Sequence, residues 1–324
     1  METMKRDFLS LQDLTQEEIL ALLKRTYQLK RDKTKMRDYL RGKSIGLLFQ
    51  KPSNRTRVSF EVGISQLGGN CLYLGPEEIN LGVRESTADV AKTLSRYLDA
   101  IVARTFHHQD VVDLARYATI PVINGLSDMY HPCQSLTDMF SIEEKLGTTQ
   151  GVVLGYVGDG NNNVCHSLMI GCAKTGISTQ IATPKGYEPD PKVVRQAKSL
   201  AQETGAFIHL TRSPKDAVAG ADVIYSDVWV SMGQEKQAPK RLKDFKGFQI
   251  NGRLVQGAKD KFIFMHCLPA HRGQEVTDEV IDGKHSIIFD QAENRLHVQK
   301  AILTFLFNPI HKLTVGDDRD RLLH

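Results

Sequence analysis

The stretch SIGLLFQKPSNRTRVSFEVG, residues 44–63, holds the pattern on which the reading of this chain turns. Its first six residues form an apolar run of strand length, of the kind found where both faces of a sheet are covered. Gln50, Lys51 and Pro52 interrupt the run, and from about Arg55 the spacing predicts a helix. A strand turning directly into a helix is the opening of a βαβ unit and hence of a parallel sheet. The same corner carries chemistry. A helix start offers unpaired N–H groups and the positive end of the peptide dipoles, which together suit a phosphate. Ser53 and Thr56 add hydroxyls there, and Arg55 and Arg57 add guanidiniums, whose planar forks grip phosphate oxygens at two points and stay charged.

The alternation continues on both sides. DAIVART (99–105) and ATIPVING (118–125) read as strands, each followed by a helix, the second from Pro132. Towards the N-terminus, Thr15 and Glu18 form a capping box with Leu14 and Ile19 placed to staple it, and Ile19, Leu22, Leu23 and Thr26 follow helical spacing. Residues 147–151, GTTQG, are polar and glycine-flanked and mark the domain boundary. Beyond them GVVLGYVG, STQIATP, AFIHL, ADVIYSD, KFIFMHC and SIIFD restart the strand pattern, and a last helix is expected from a capping box at Asp290 and Glu293, with Val298, Ala301, Ile302 and Phe305 on one face. The expectation is an α/β protein of two similar domains, residues 1–147 and 148–299, each a mainly parallel sheet flanked by helices. A C-terminal helix, about 300–324, crosses back to the first.

Length agrees, since 324 residues suit two cores of roughly 150 residues each. Net charge is +4 with interspersed signs, and the most basic stretch, Lys24 to Lys43, lacks interleaved aromatics, which argues against a nucleic-acid partner. Five cysteines, an odd number with no C-x-x-C pair, point to a reducing compartment. No apolar leader or spanning segment is evident, so a cytoplasmic protein without a membrane partner is expected.

Four further segments carry candidate residues. Arg104 ends the strand DAIVART. In Tyr130-His131-Pro132-Cys133-Gln134, proline suits the first helical position, His131 falls in the cap region and can donate to a carbonyl oxygen, and Gln134 can hold an amide NH₂. Gly158-Asp159-Gly160-Asn161-Asn162-Asn163 half-matches a dinucleotide fingerprint but lacks its third glycine and the acid that would close the next strand, so a nicotinamide enzyme is disfavoured. Asp227 and Ser231, in DVWVSMG, could reach an amino group. His266, Cys267 and His271 have no zinc spacing, and no metal is expected.

Together S-N-R-T-R after a strand, H-P-C-Q, D-x-x-x-S-M-G and H-C-L-P-A resemble, in that order, the ornithine carbamoyltransferases, and the resemblance runs from Ser44 to about Phe307. It implies a homotrimer or multiple of trimers, without cofactor. The first domain would bind carbamoyl phosphate and the second ornithine. By position it implies that Ser53, Asn54, Arg55, Thr56, Arg57, Asn80, Arg104, His131, Gln134, Cys267, Leu268 and Arg295 hold the donor. Arg104, His131 and Cys267 would be catalytic, Cys267 helping to accept the amine proton. Asn163, Asp227, Ser231 and Met232 would hold ornithine, with Asn163 preferred to Asn162 because it keeps the following helix in register. Two positions depart from the pattern: Asn54 stands where a threonine is usual, and Asn80 where a glutamine often reaches into a neighbouring subunit. Carbamoyltransferases for putrescine, modified ornithine or aspartate are the alternatives; a dicarboxylate acceptor would need cations where this chain offers Asp227, Ser231 and Met232. A metabolite-binding scaffold would be expected to have lost an arginine. The whole reading requires Arg55, Arg57, Arg104 and Asp227 to converge on one hollow.

Overall fold

Strand β1 (Ser44–Phe49) lies between β2 (Asn70–Leu74) and β3 (Ala100–Arg104), and β4 (Val122–Leu126) extends the sheet beyond β3, all parallel. The computed structural model describes residues 5–32, 34, 36–79, 81 and 85–307. A second parallel sheet has the order β7 (Ile208–Thr211), β6 (Ser178–Ala182), β5 (Val153–Val157), β8 (Val223–Ser226) and β9 (Ile263–His266). In both, the chain winds outward in one direction and then in the other. The strands on either side of that reversal, β1 with β3 and β5 with β8, open a crevice at their carboxyl ends. The two expected ligand segments lie at these two crevices.

The expected two-sheet α/β architecture is present, with three differences in detail. β2 was not anticipated: NCLYL is short, half polar, and runs along the sheet edge with its residues partly exposed. SIIFD is not a strand. Only Ser286 bridges to Phe264, and the chain turns helical at Ile288. The last helix accordingly runs Ile288–Leu306 without a side-chain cap, and Asp290 sits inside its first turn, paired with Lys145 at 2.7 Å. Residues 308–324 of the expected C-terminal helix lie outside the described residues. What is described of this helix packs on Gln16–Arg31, Asn54–Gln66 and Pro132–Leu146 of the first domain, so it does cross back.

Local signals elsewhere act as read. Thr15 and Glu18 form the capping box of Gln16–Arg31. Ser53 caps Asn54–Gln66 by accepting from the Thr56 N–H. Pro132 opens Pro132–Leu146, and Gly147, at φ 78°, closes it in the left-handed conformation that glycine adopts without steric cost. Gly155 in β5 has a different reason. A Cβ there would lie 2.3 Å from the Ala217 carbonyl oxygen, so the close approach of Pro214–Val218 to the sheet needs its absence. Gly155→Ala should lower stability by about 1–3 kcal/mol. Urea denaturation checks this, as a fall in midpoint with unchanged slope.

Candidate active site

A cleft of about 910 Å³ opens between the two sheets' carboxyl ends. One wall is the β1-to-helix corner, which contributes Lys51, Ser53, Asn54 and Arg55; Arg104 enters from the end of β3, His131 from the start of Pro132–Leu146, and Arg295 from the last helix. Facing them are Asn162 and Asn163 after β5, Asp227, Ser231 and Met232 after β8, and Cys267 and Leu268 after β9. Two domains thus bring together residues as far apart in sequence as Lys51 and Arg295.

Two expected residues stand behind the wall. Arg295 donates from one terminal nitrogen to Gln134 Oε1 at 3.1 Å and from the other to the Thr56 hydroxyl at 2.8 Å. Thr56 and Gln134 therefore orient a guanidinium rather than line the cleft. Arg57 does not reach the hollow at all. It pairs with Glu61 at 2.8 Å and lies 3.8 Å over the Tyr73 ring, nearly half exposed. The reason is helical geometry: positions two apart point to opposite sides, so Arg55 facing the cleft turns Arg57 away from it. Convergence holds for Arg55, Arg104 and Asp227 and fails for Arg57. Asn80 lies outside the described residues.

Electrostatics separate the two walls. Burial lowers the Lys51 pKa to about 8, with Arg104 adding to the effect and Asp128 opposing it. Burial, then Arg295 and Arg55, lower Arg104 to about 10. His131, fully enclosed and surrounded by Arg295, Arg104, Lys51 and Arg55, is held well below the usual histidine range, so its imidazole is neutral at pH 7 and can donate a single N–H. Its backbone N–H is fixed at 2.8 Å from Ser167 Oγ across the domain interface. Arg104 Nε, His131 Nδ1 and Arg295 Nε are buried with no hydrogen-bond partner among the described residues. An unpaired buried polar group costs about 1–3 kcal/mol, so a site holding three together is built for an oxygen-rich ligand.

On the opposite wall Asp227 is pushed up by burial, against the pull of His266, the Cys267 thiol and the Val228 N–H. Asn162 caps Asn163–Thr175, accepting from the Cys165 N–H, and reaches both Tyr156 Oη at 3.1 Å and Asp227 Oδ2 at 3.3 Å. Asn163 donates to the Ser127 carbonyl at 2.6 Å. Both asparagines thus border the cleft. Cys267 donates to Asp227 Oδ1 at 3.1 Å, and burial followed by Asp227 raises its thiol far above the ordinary range. A protonated thiol bonded to a carboxylate is not a base, which removes the proton-accepting role anticipated for it. Among the described residues Asp227, His266 and Cys267 also form the one group spaced to hold a metal ion. His266 Nδ1 already accepts from the Leu268 N–H at 2.9 Å, and the Cys267 thiol is engaged with Asp227. Leu268 itself has φ 56°, a strained value for a branched residue of the sort that gathers at functional loops.

Lys51 is a cleft residue that the motifs did not single out, as are His107, Asp128 and Asn161. Its signal was present, a lysine two residues before the cap serine, but a lysine in a turn is ordinarily a solvated one; here it is 7% exposed and 5.1 Å from the Phe106 ring.

A cationic, phosphate-suited crevice facing a crevice lined by a carboxylate and amides defines a two-domain group-transfer enzyme with an anionic donor. Residues 6–144 match the carbamoyl-P binding domain model of aspartate/ornithine carbamoyltransferases, and residues 150–306 match the Asp/Orn binding domain model. The ornithine carbamoyltransferase of Thermococcus kodakarensis is 55% identical over 94% of this chain and 97% of its own length. The anabolic enzyme of Pyrococcus furiosus is 54% identical over 94% and 97%. A solved Pyrococcus furiosus ornithine carbamoyltransferase superposes with a TM-score of 0.90 at 54% identity, covering 94% of this chain and 97% of that one. The Gloeobacter violaceus enzyme superposes with 0.85 at 46%, covering 94% and 99%. The chain belongs to the aspartate/ornithine carbamoyltransferase family.

The geometry separates the two arginines of the SNRTR corner. Losing two charge-assisted bonds at Arg55→Ala should weaken carbamoyl phosphate binding about 100-fold, while Arg57→Ala should change it by less than about threefold. Calorimetry on both variants checks the contrast.

Proposed function

We propose that this enzyme transfers the carbamoyl group of carbamoyl phosphate to the side-chain amine of L-ornithine, giving L-citrulline and phosphate. The observation that carries the reading is the single cleft in which Arg55, Arg104, His131 and Arg295 face Asp227. Ser53, Asn54 and Arg55 receive the phosphate at the helix start, with Lys51 beside them. Arg104 and neutral His131 hold the carbamoyl oxygen, where negative charge grows as the amine attacks. Asp227, Asn163 and Ser231 orient the diamino acid, and Met232, with Cys267 and Leu268, closes round its aliphatic part.

The acceptor amine has an ordinary pKa of ~10.4 and must lose a proton before it attacks. Like-charge repulsion from the opposing guanidiniums favours that loss. Once the nitrogen–carbon bond forms, the nitrogen sheds its second proton to the departing phosphate. The carbon–oxygen bond to phosphate breaks as that proton arrives. Cys267, already donating to Asp227, keeps the carboxylate turned towards the cleft.

The trimeric and cytoplasmic readings also belong here. Val58 and Val62 on one face of Asn54–Gln66 and Leu72 on the edge strand β2 are each at least 40% exposed. Such a face beside Arg57 is suited to a second copy of the chain. Among the described residues no helix is long and apolar enough to cross a membrane.

Incubation with carbamoyl phosphate and, separately, ornithine, aspartate or putrescine should yield a ureido product and phosphate with ornithine; product with aspartate or putrescine alone would refute the acceptor assignment. Asp227→Ala should raise the ornithine KM about 100-fold or more while calorimetric donor affinity stays within a few fold. Because the amine reacts deprotonated, kcat/KM for ornithine should climb from pH 6 to 9, and a flat profile would remove that step.

A further inference from the structure

Asp138 lies on Pro132–Leu146, one helical turn beyond Gln134, fully buried and outside the cleft. Three neutral donors from three elements meet on it. Gln134 Nε2 and Gln291 Nε2 each donate to Oδ1 at 2.8 Å, and the Tyr225 hydroxyl donates to Oδ2 at 3.2 Å. Tyr225 comes from β8 of the second sheet and Gln291 from the last helix. From this one carboxylate two hydrogen-bonded chains run to opposite walls. Through Gln134 the first reaches Arg295 and then Thr56. Through Gln291, whose Oε1 accepts from the His266 N–H at 3.0 Å, the second reaches the backbone directly before Cys267.

We propose that Asp138 is a positioning residue that sets the donor wall and the Cys267 segment in register across the domain boundary, acting through Gln134 and Gln291. This rests on the reading of carbamoyl phosphate as the donor, but not on the identity of the acceptor. A carboxylate accepts all three at once; an amide in its place would keep its oxygen for the two glutamines but turn an NH₂ towards the Tyr225 hydroxyl, which would then have to accept instead of donate. Gln134 shows the consequence: with its NH₂ committed to Asp138, its carbonyl is presented to Arg295, and the guanidinium is clamped between Gln134 and Thr56. A carboxylate buried without a bonded cation costs free energy that an apolar residue would not, so its presence is explained by what it orients.

Burial raises the Asp138 pKa to about 7 against the pull of Gln134, Gln291, Tyr225 and Arg295. Around it stand Tyr225 from β8, Cys172 from Asn163–Thr175, Cys267 after β9 and Arg295 from the last helix. Burial holds the tyrosine and both thiols neutral, so the charge that accompanies Asp138 is that of Arg295. The competent form is the ionised one, and it is lost as pH falls through about 7.

The test uses the full chain, Asp138→Asn and Tyr225→Phe, titrated calorimetrically with carbamoyl phosphate alone from pH 6 to 8.5 and then assayed with ornithine. At pH 8.5 Asp138→Asn should bind the donor about tenfold more weakly or worse, and Tyr225→Phe less severely. The ratio of native to Asp138→Asn affinity should shrink towards one at pH 6, where about nine-tenths of the native carboxylate is protonated. In Tyr225→Phe, which withdraws a donor from the carboxylate, the acid fall in affinity should move to higher pH. A merely structural Asp138 would lower thermal stability and leave both affinity and its pH dependence as in the native chain, and that result overturns the proposal. Should Asp138→Asn fail to fold, an unmoved acid fall in Tyr225→Phe overturns it equally. If the native chain binds the donor yet makes no citrulline, the acceptor reading fails while the positioning test keeps its force; if it does not bind the donor, both fail.

Discussion

The constraint from which the rest of this structure follows is the confinement of Arg55, Arg104, Arg295 and Lys51 in one hollow with a neutral histidine. Each loses hydration on burial and repels the others, which is why Lys51, Arg104 and His131 are all pulled down. A protein accepts such a cluster when scaffold groups hold the charges apart and a ligand supplies the missing anion. Thr56 and Gln134 provide the first by fixing Arg295. The unpaired nitrogens of Arg104, His131 and Arg295 mark where the second belongs.

That cluster needs an opposite wall, and the fold supplies one without a new device. Each sheet reverses its winding once, and each reversal opens a crevice at the strand ends. The first holds positive groups at a helix start; the second holds Asp227 and two asparagines. The last helix and Pro132–Leu146 tie the two together, the last helix carrying Arg295 and Gln291 on buried positions although it begins among residues of the second domain. The domain interface is therefore part of the site and not simply a border beside it. His131, held through its backbone by Ser167, shows the same thing at the level of one hydrogen bond.

Much of this was legible in local pattern. Apolar runs of strand length ending in turn residues placed eight of the nine described strands. The exception, β2, lies on an edge where a half-polar sequence suffices. SIIFD failed for the complementary reason: a short apolar run reads equally as a strand or as the buried start of a helix, and Ile288 took the second course. Asp290 with Glu293 met the capping pattern, yet the helix had begun two residues earlier because packing against the sheet and helices, and not a side-chain cap, sets its start.

Sequence alone determined the α/β class and the strand-to-helix corner at Ser53, because strand period, capping and proline position act over a few residues. Tertiary structure alone decided what each candidate residue does. Helical rotation sends Arg57 outward beside an inward Arg55, depth keeps the Cys267 thiol protonated, and long-range contact sets Thr56 and Gln134 to steady a guanidinium 161 or more positions away. Direction, solvent exposure and partners across the domain boundary are properties of the packed chain, and no local pattern encodes them.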